Sequence, residues 1–175
     1  MSIEQDIQQD FKNEYQKAVL NLIYTNYYLV DQMNDVFKKH DITRQQYNVL
    51  RILRGQHPGH ASVNLIKERM LDKMSDASRI VERLRLKELI TRENCIDDKR
   101  CVEVKITARG LQLLEEMQPT VDGFELLLSN LTEPETRQLN QLLDKIRAAH
   151  KRSLSDESGD QNSEEKISTL ASFKI

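Results

Sequence analysis

The apolar residues of this chain change period in one region, and that change decides what the chain can build. Up to Leu86 they recur every three or four residues, the spacing of one face of an α-helix. Over residues 90–94, and again at Val102, Val104 and Ile106, they alternate with polar residues, which is the period of a half-buried strand. The hexapeptide 95–100 between the two runs is polar and rich in charge, so together they predict a β-hairpin with a charged tip. At Thr107 the helical spacing returns. The fold expected is therefore mainly α with one small β-hairpin.

Residues 10–40 carry Phe11, Tyr15, Val19, Ile23, Tyr27, Val30, Met33 and Phe37 in steps of three and four, a long amphipathic helix of about eight turns. That is longer than one small domain needs to cover its core, so part of the stripe is expected to pack on another subunit. Thr43 is placed as N-cap of a second helix bearing Tyr47, Val49, Leu50, Ile52 and Leu53. Gly55 and the run His57-Pro58-Gly59 then break the chain. A short helix over residues 62–70 follows, with Val63, Ile66 and Met70 on its apolar face. A turn at residues 71–74 leads to Ser75 as N-cap of a longer helix with Ile80, Val81, Leu84 and Leu86. Two helices joined by so few residues predict a helix-turn-helix. Beyond the hairpin, Thr107 caps a helix with Leu111, Leu114, Met117, Val121, Phe124 and Leu128, which Pro119 is expected to kink or interrupt. Thr132, with Glu133 and Glu135 in the first turn, opens a last helix bearing Leu139, Leu142, Leu143 and Ile146. Past Arg152 the sequence is polar and aperiodic and reads as a disordered tail, onto whose host body the apolar residues 170–173 are not expected to dock.

With 175 residues, 38% hydrophobic and 31% charged, and only five Gly and three Pro, the chain has the make-up of one helix-rich domain with long solvated faces. Its formal net charge of -2 argues against nonspecific coating of nucleic acid, which rests on many phosphate-neutralising cations. The charge is unevenly placed, however: from Arg79 to Arg109, nine Lys and Arg stand against six Asp and Glu. The acidic amino terminus has no apolar signal region and no stretch approaches the roughly 18 apolar residues of a membrane span, so a cytoplasmic protein without a membrane partner is expected. There is no Gly-rich phosphate loop, nucleophile elbow or His-Cys-carboxylate cluster at catalytic spacing, so neither an enzyme nor a cofactor is expected. His57 and His60 resemble half a metal site, but loop histidines without a nearby Cys or carboxylate cluster read as solvent-facing, and no metal is expected.

Residues 98–110, Asp-Lys-Arg-Cys-Val-Glu-Val-Lys-Ile-Thr-Ala-Arg-Gly, resemble the wing signature of the MarR family: Asp98, one residue, Arg100, then Val104, the aliphatic-Thr pair Ile106-Thr107, and Gly110. The preceding stretch from Ile80 to Arg92 is similar to the end of that family's recognition helix and its approach to the wing, with Glu88 where many members have Gly. The resemblance spans roughly residues 11–146. It implies a winged helix-turn-helix whose long terminal helices interlock with those of a second chain, and a homodimer whose two lobes read half-sites of a pseudo-palindromic operator in double-stranded DNA. The organisation expected is residues 1–40 and 108–150 as a helical dimerisation region, 41–107 as the DNA-binding lobe, and 151–175 as a mostly disordered tail. The resemblance also implies a small aromatic or phenolic ligand, with Tyr24, Tyr27, Tyr28, Met33 and Phe37 as candidate pocket residues where the first helix faces the lobe. A core or dimer stripe is the other use of those residues.

The residue types suit DNA. A wing puts a cation at the tip of a stiff hairpin, able to enter a narrow minor groove where the potential is most negative, and Arg100 is the candidate, beside Lys99. Asp98, two residues earlier, would accept from the Arg100 guanidinium and fix its direction; plain solvated hairpin charges are the alternative. On the recognition helix Lys73, Ser75, Asp76, Ser78 and Arg79 lie outward near its start, with Arg79 the best base-contact candidate and Ser75 and Ser78 suited to phosphate or base. Asp76 reads equally as a first-turn helix acid, and Arg83 and Arg85 equally as intramolecular salt-bridge partners. Cys95 and Cys101 flank the wing loop, so a thiol switch is a conceivable alternative to two unremarkable thiols. The function expected is a sequence-specific transcriptional repressor released by a ligand; the rival readings are a winged-helix protein-interaction module without DNA and a thiol-based redox sensor.

Overall fold

The computed structural model describes residues 2–94 and 102–156. Its elements follow the chain as α1 (Ile3–Ile7), α2 (Glu14–Lys39), α3 (Arg44–Arg54), β1 (Ala61–Ser62), α4 (Val63–Arg69), α5 (Ala77–Leu86), β2 (Ile90–Asn94), β3 (Val102–Ile106), α6 (Ala108–Asp122), a 3-10 helix (Gly123–Leu128) and α7 (Glu133–Asp156). The chain is mostly helical with a small antiparallel sheet, as the two periods of its apolar residues predict.

Local capping chemistry sets most of the boundaries. Thr43 accepts from the Gln46 amide at 3.1 Å while Gln46 Oε1 accepts from the Thr43 amide at 2.9 Å, a reciprocal box that also explains why Gln46 is buried. Ser62 caps α4 through the Leu65 amide, and Thr107 caps α6 through the Gly110 amide. Three expectations need correction. The first long helix begins at Glu14, capped by Asn13, so Phe11 lies before it. Pro119 does not interrupt α6, which runs on to Asp122 and then tightens into the 3-10 helix holding Phe124 and Leu128. The last helix continues to Asp156, past the point where the tail was expected to begin; residues 157–175, with the apolar run 170–173, lie outside the described residues.

Two compact units result, residues 1–127 and 128–175. In the first, α3 is the hub. Its Val49, Leu50 and Leu53 are buried with Ile66 and Met70 of the α4 segment, Val81 and Leu84 of α5, Val104 of β3, and Leu114 and Met117 of α6. Burying each such side chain contributes about 1.5–3 kcal/mol, which is what holds the short helices α4 and α5 in place. An aromatic group closes one side of the core: the Phe37 ring lies 5.1 Å from Tyr47 and 5.9 Å from Phe124, tilted and edge-on.

The hairpin gains a third strand that the sequence reading did not contain. The order is β1-β3-β2, all antiparallel, with Ala61 opposite Val104 and Ile90 opposite Ile106. In the second unit α7 stands as one amphipathic helix whose start is held by Thr132, bonded through its amide at 2.8 Å and its hydroxyl at 2.7 Å to Glu135. Those two bonds, the hydroxyl's first, keep the Glu135 carboxyl below the usual carboxylate range.

Candidate nucleic-acid interface

The turn between α4 and α5 is braced from several sides. Met70, fully buried, closes α4 by donating its amide to the Ile66 carbonyl. The next amide, Leu71, donates to Asn48 Oδ1 on α3 at 3.0 Å. Asp72 folds the turn onto itself, accepting from the Met74 amide at 3.0 Å and the Ser75 hydroxyl at 2.7 Å. The Ser75 hydroxyl, then the Met74 amide, hold the Asp72 carboxyl below its ordinary range. Lys73 reaches back to the Glu68 carbonyl.

The cap of α5 is Asp76, which accepts from the Arg79 amide at 3.1 Å; Ser75 is not the cap expected, because its hydroxyl is committed to Asp72. Capping also accounts for Asp76 without a base-reading role. Ser78 and Arg79 occupy exposed positions in the first turn, and among the described residues no hydrogen bond or ion pair engages their side chains. Of the candidates, Ser75, Asp76 and Lys73 are thus occupied within the turn, while Ser78 and Arg79 present their polar groups outward.

Further along α5 the arginines divide. Arg85 forms a bidentate pair with Glu82, Nε at 3.0 Å and Nη2 at 2.7 Å, and Arg92 of β2 approaches the same carboxylate at 3.8 Å. Arg83 instead lines a cleft of about 790 Å³ with Val30, Asn34, Phe37, Lys38 and Arg44. That cleft shares one residue with the expected ligand pocket. Tyr24 and Tyr28 are exposed, 43% and 56%, Met33 is half-buried against the core, and Phe37 is consumed in the aromatic group; only Phe37 also reaches the cleft.

The wing is described at its stem. Residue pairing runs from Ile90 opposite Ile106 to Asn94 opposite Val102, so the hairpin is regular to the edge of the loop. Asp98, Lys99, Arg100, Cys95 and Cys101 lie outside the described residues. At the stem Glu103 meets Lys105 of its own strand at 3.4 Å and His60, the residue just before β1, at 3.4 Å.

Where α5 ends, Glu88 has a left-handed backbone, φ 60°, the conformation for which glycine is favoured at a helix end. The Thr107 hydroxyl donates to the Glu88 carbonyl at 2.9 Å and the Thr107 amide to the Leu89 carbonyl at 3.1 Å. A Cβ on Gly110 would stand 2.3 Å from that same Leu89 oxygen. Thr107, Gly110 and the residue-88 turn therefore form one joint that sets how the recognition helix enters the wing.

Residues 40–100 match the sequence profile of the MarR family. The chain is 31% identical over 115 residues to the HTH-type transcriptional repressor IacR of Pseudomonas putida, covering 65% of this chain and 68% of that one. It is likewise 31% identical over 113 residues to the HTH-type transcriptional regulator MgrA of Staphylococcus aureus, covering 65% of this chain and 75% of that one. Its fold is similar to that of a mutant MarR from E. coli solved in complex with operator DNA, with a TM-score of 0.67 and 27% identity, over 79% of this chain and 99% of that one.

Proposed function

Since the chain belongs to the MarR family of transcriptional regulators, we propose that it is a sequence-specific DNA-binding repressor, acting as a homodimer on a pseudo-palindromic operator. The observation that carries this is the first turn of α5. Every other polar group of the turn is spent on holding it, whereas Ser78 and Arg79 stay outward, at the end of a helix whose amide dipoles favour phosphate. Such a turn placed in a major groove offers Arg79 to a guanine edge and Ser78 to base or phosphate. Arg100, directed by Asp98, is the residue assigned to the flanking minor groove, with Lys99 on phosphate.

Dimerisation is supported by α2. Its amino-terminal half exposes Tyr15, Val19, Ile23 and Tyr27, with Tyr15 86% and Tyr27 69% accessible in the single chain. An apolar stripe of that length is rare on a monomer's surface and is covered by a second copy in this reading. A homodimer places two α5 helices about one turn of DNA apart, roughly 34–36 Å.

For release, the effector class is the small aromatic acid that the family resemblance implies. The cleft beside Phe37 offers an apolar wall with Lys38, Arg44 and Arg83 as partners for a carboxylate, and Arg83 belongs to the recognition helix itself. The test is selection of bound sites from a random DNA pool followed by footprinting. Two symmetric half-sites centred about 10 base pairs apart are expected, with at least tenfold weaker binding by Arg79→Ala at unchanged dimer content. Recovery of no common sequence would end the DNA-binding reading in favour of an interaction module.

A further inference from the structure

Met74 and Leu71 are the most solvent-exposed apolar side chains of the helix-turn-helix, 95% and 82% accessible, and they stand in a turn that is held rigidly. The Leu71 amide is tied to Asn48, the Met74 amide to Asp72, and the residue just before them, Met70, is fully buried. The backbone is thus fixed so that one apolar residue points into the core and the next two apolar residues point out. Single exposed apolar residues are common on protein surfaces. What distinguishes this pair is its setting in the chain: the exposed cations Lys67 and Arg69 stand in the last turn of α4 just before it, and the exposed Arg79 stands in the first turn of α5 just after it, while Lys73 between them is bonded to the Glu68 carbonyl. Of the carboxylates nearby, Asp72 and Asp76 are turned onto backbone amides and a hydroxyl of the turn itself, and Glu68 lies exposed between Lys67 and Arg69.

An exposed apolar pair flanked in the chain by exposed cations matches one surface in particular. The phosphates bordering a major groove take the flanking cations, and the only apolar group that base edges present there is the 5-methyl of thymine. We propose that Met74, flanked by Leu71, reads a thymine methyl group in each half-site, so that the turn before the recognition helix contributes to specificity alongside Arg79. The inference rests on the DNA-binding reading above and assigns it a base preference. An apolar side chain adds little affinity against cytosine or the purines, whose edges there are polar, and the flexible thioether adapts to the groove wall.

The experiment uses the full chain and the operator recovered by selection, with each thymine replaced in turn by deoxyuridine, which removes the methyl group and leaves the pairing. Wild type is expected to lose about fourfold in affinity at one thymine of each half-site, the worth of one methyl group removed from water. Met74→Gln, similar in length but polar at its end, is expected to bind the thymine and deoxyuridine operators alike while melting at the wild-type temperature, since the side chain is exposed. Sequence-specific binding that no deoxyuridine substitution weakens overturns the thymine assignment and leaves the repressor standing. A methyl penalty that persists in Met74→Gln overturns it equally, by placing the contact elsewhere. Absence of any sequence-specific binding overturns both readings.

Discussion

Gly110 is required by a distance and not by a backbone angle. Its φ is not positive, but a Cβ there would lie 2.3 Å from the Leu89 carbonyl oxygen and 2.8 Å from Ile106 Cγ1, far inside contact distance. Gly110→Ala is therefore expected to lower stability by about 1–3 kcal/mol, the range for overpacked sites, read as a shifted midpoint in urea unfolding. Glu88 presents the opposite case, a side chain where the backbone wants none. A left-handed residue costs about 1–2 kcal/mol, and glycine at an ordered site costs about 0.5–1 kcal/mol in chain entropy. The Glu88 pair with Arg109 at 2.8 Å is exposed on both sides and offsets little. Glu88→Gly is thus expected to raise stability by about 0.5–1 kcal/mol in the same assay; a lower midpoint would show that the turn is not strained. Gly110 was legible as part of a motif, whereas the reason for it was not, because Leu89 and Ile106 meet it only once the hairpin has folded back.

At the level of elements, the caps divide by how local they are. Thr43 and Thr107 each bond an amide three residues ahead, as their spacing predicts, and Ser62, expected inside the short helix, caps it in the same way. The start of α5 lies one residue beyond the cap its sequence favours because Ser75 and Asp76 are both good caps, and the choice between them falls to Asp72, which takes the Ser75 hydroxyl. Asp76→Ala is expected to cost about 1 kcal/mol of stability and to weaken operator binding, with Asp76→Ser restoring both. If Asp76→Ser restores stability and not binding, the carboxylate has a role beyond the cap; thermal melts and gel shifts on the same samples separate the two. The strand β1 is not legible in the sequence for a related reason. Two residues, Ala61 and Ser62, carry no period, and their strand character comes from pairing with Val104 and Glu103 some forty residues away.

For the whole molecule, the expectation concerns α2. Replacing Tyr15 and Tyr27 by Lys puts charge in the exposed stripe without touching the core, where Phe37 is buried. The variant is expected to sediment as a folded monomer and to lose operator binding far more than either lobe's own fold; a dimer that survives would remove the stripe from the interface. The helical and strand periods, the caps at Thr43 and Thr107, the basic bias of residues 79–109 and the family signature are all fixed by the amino-acid order, since each is written in spacing along the chain. Tertiary structure alone decided which of two adjacent caps is used, that Arg85 belongs to Glu82 while Ser78 and Arg79 stay outward, that Phe37 serves the core, and that Leu71 and Met74 face solvent instead of following Met70 inward. Those outcomes depend on competition among partners distant in sequence, and hydrogen bonds and burial choose between such partners only when the packed core has brought them within reach.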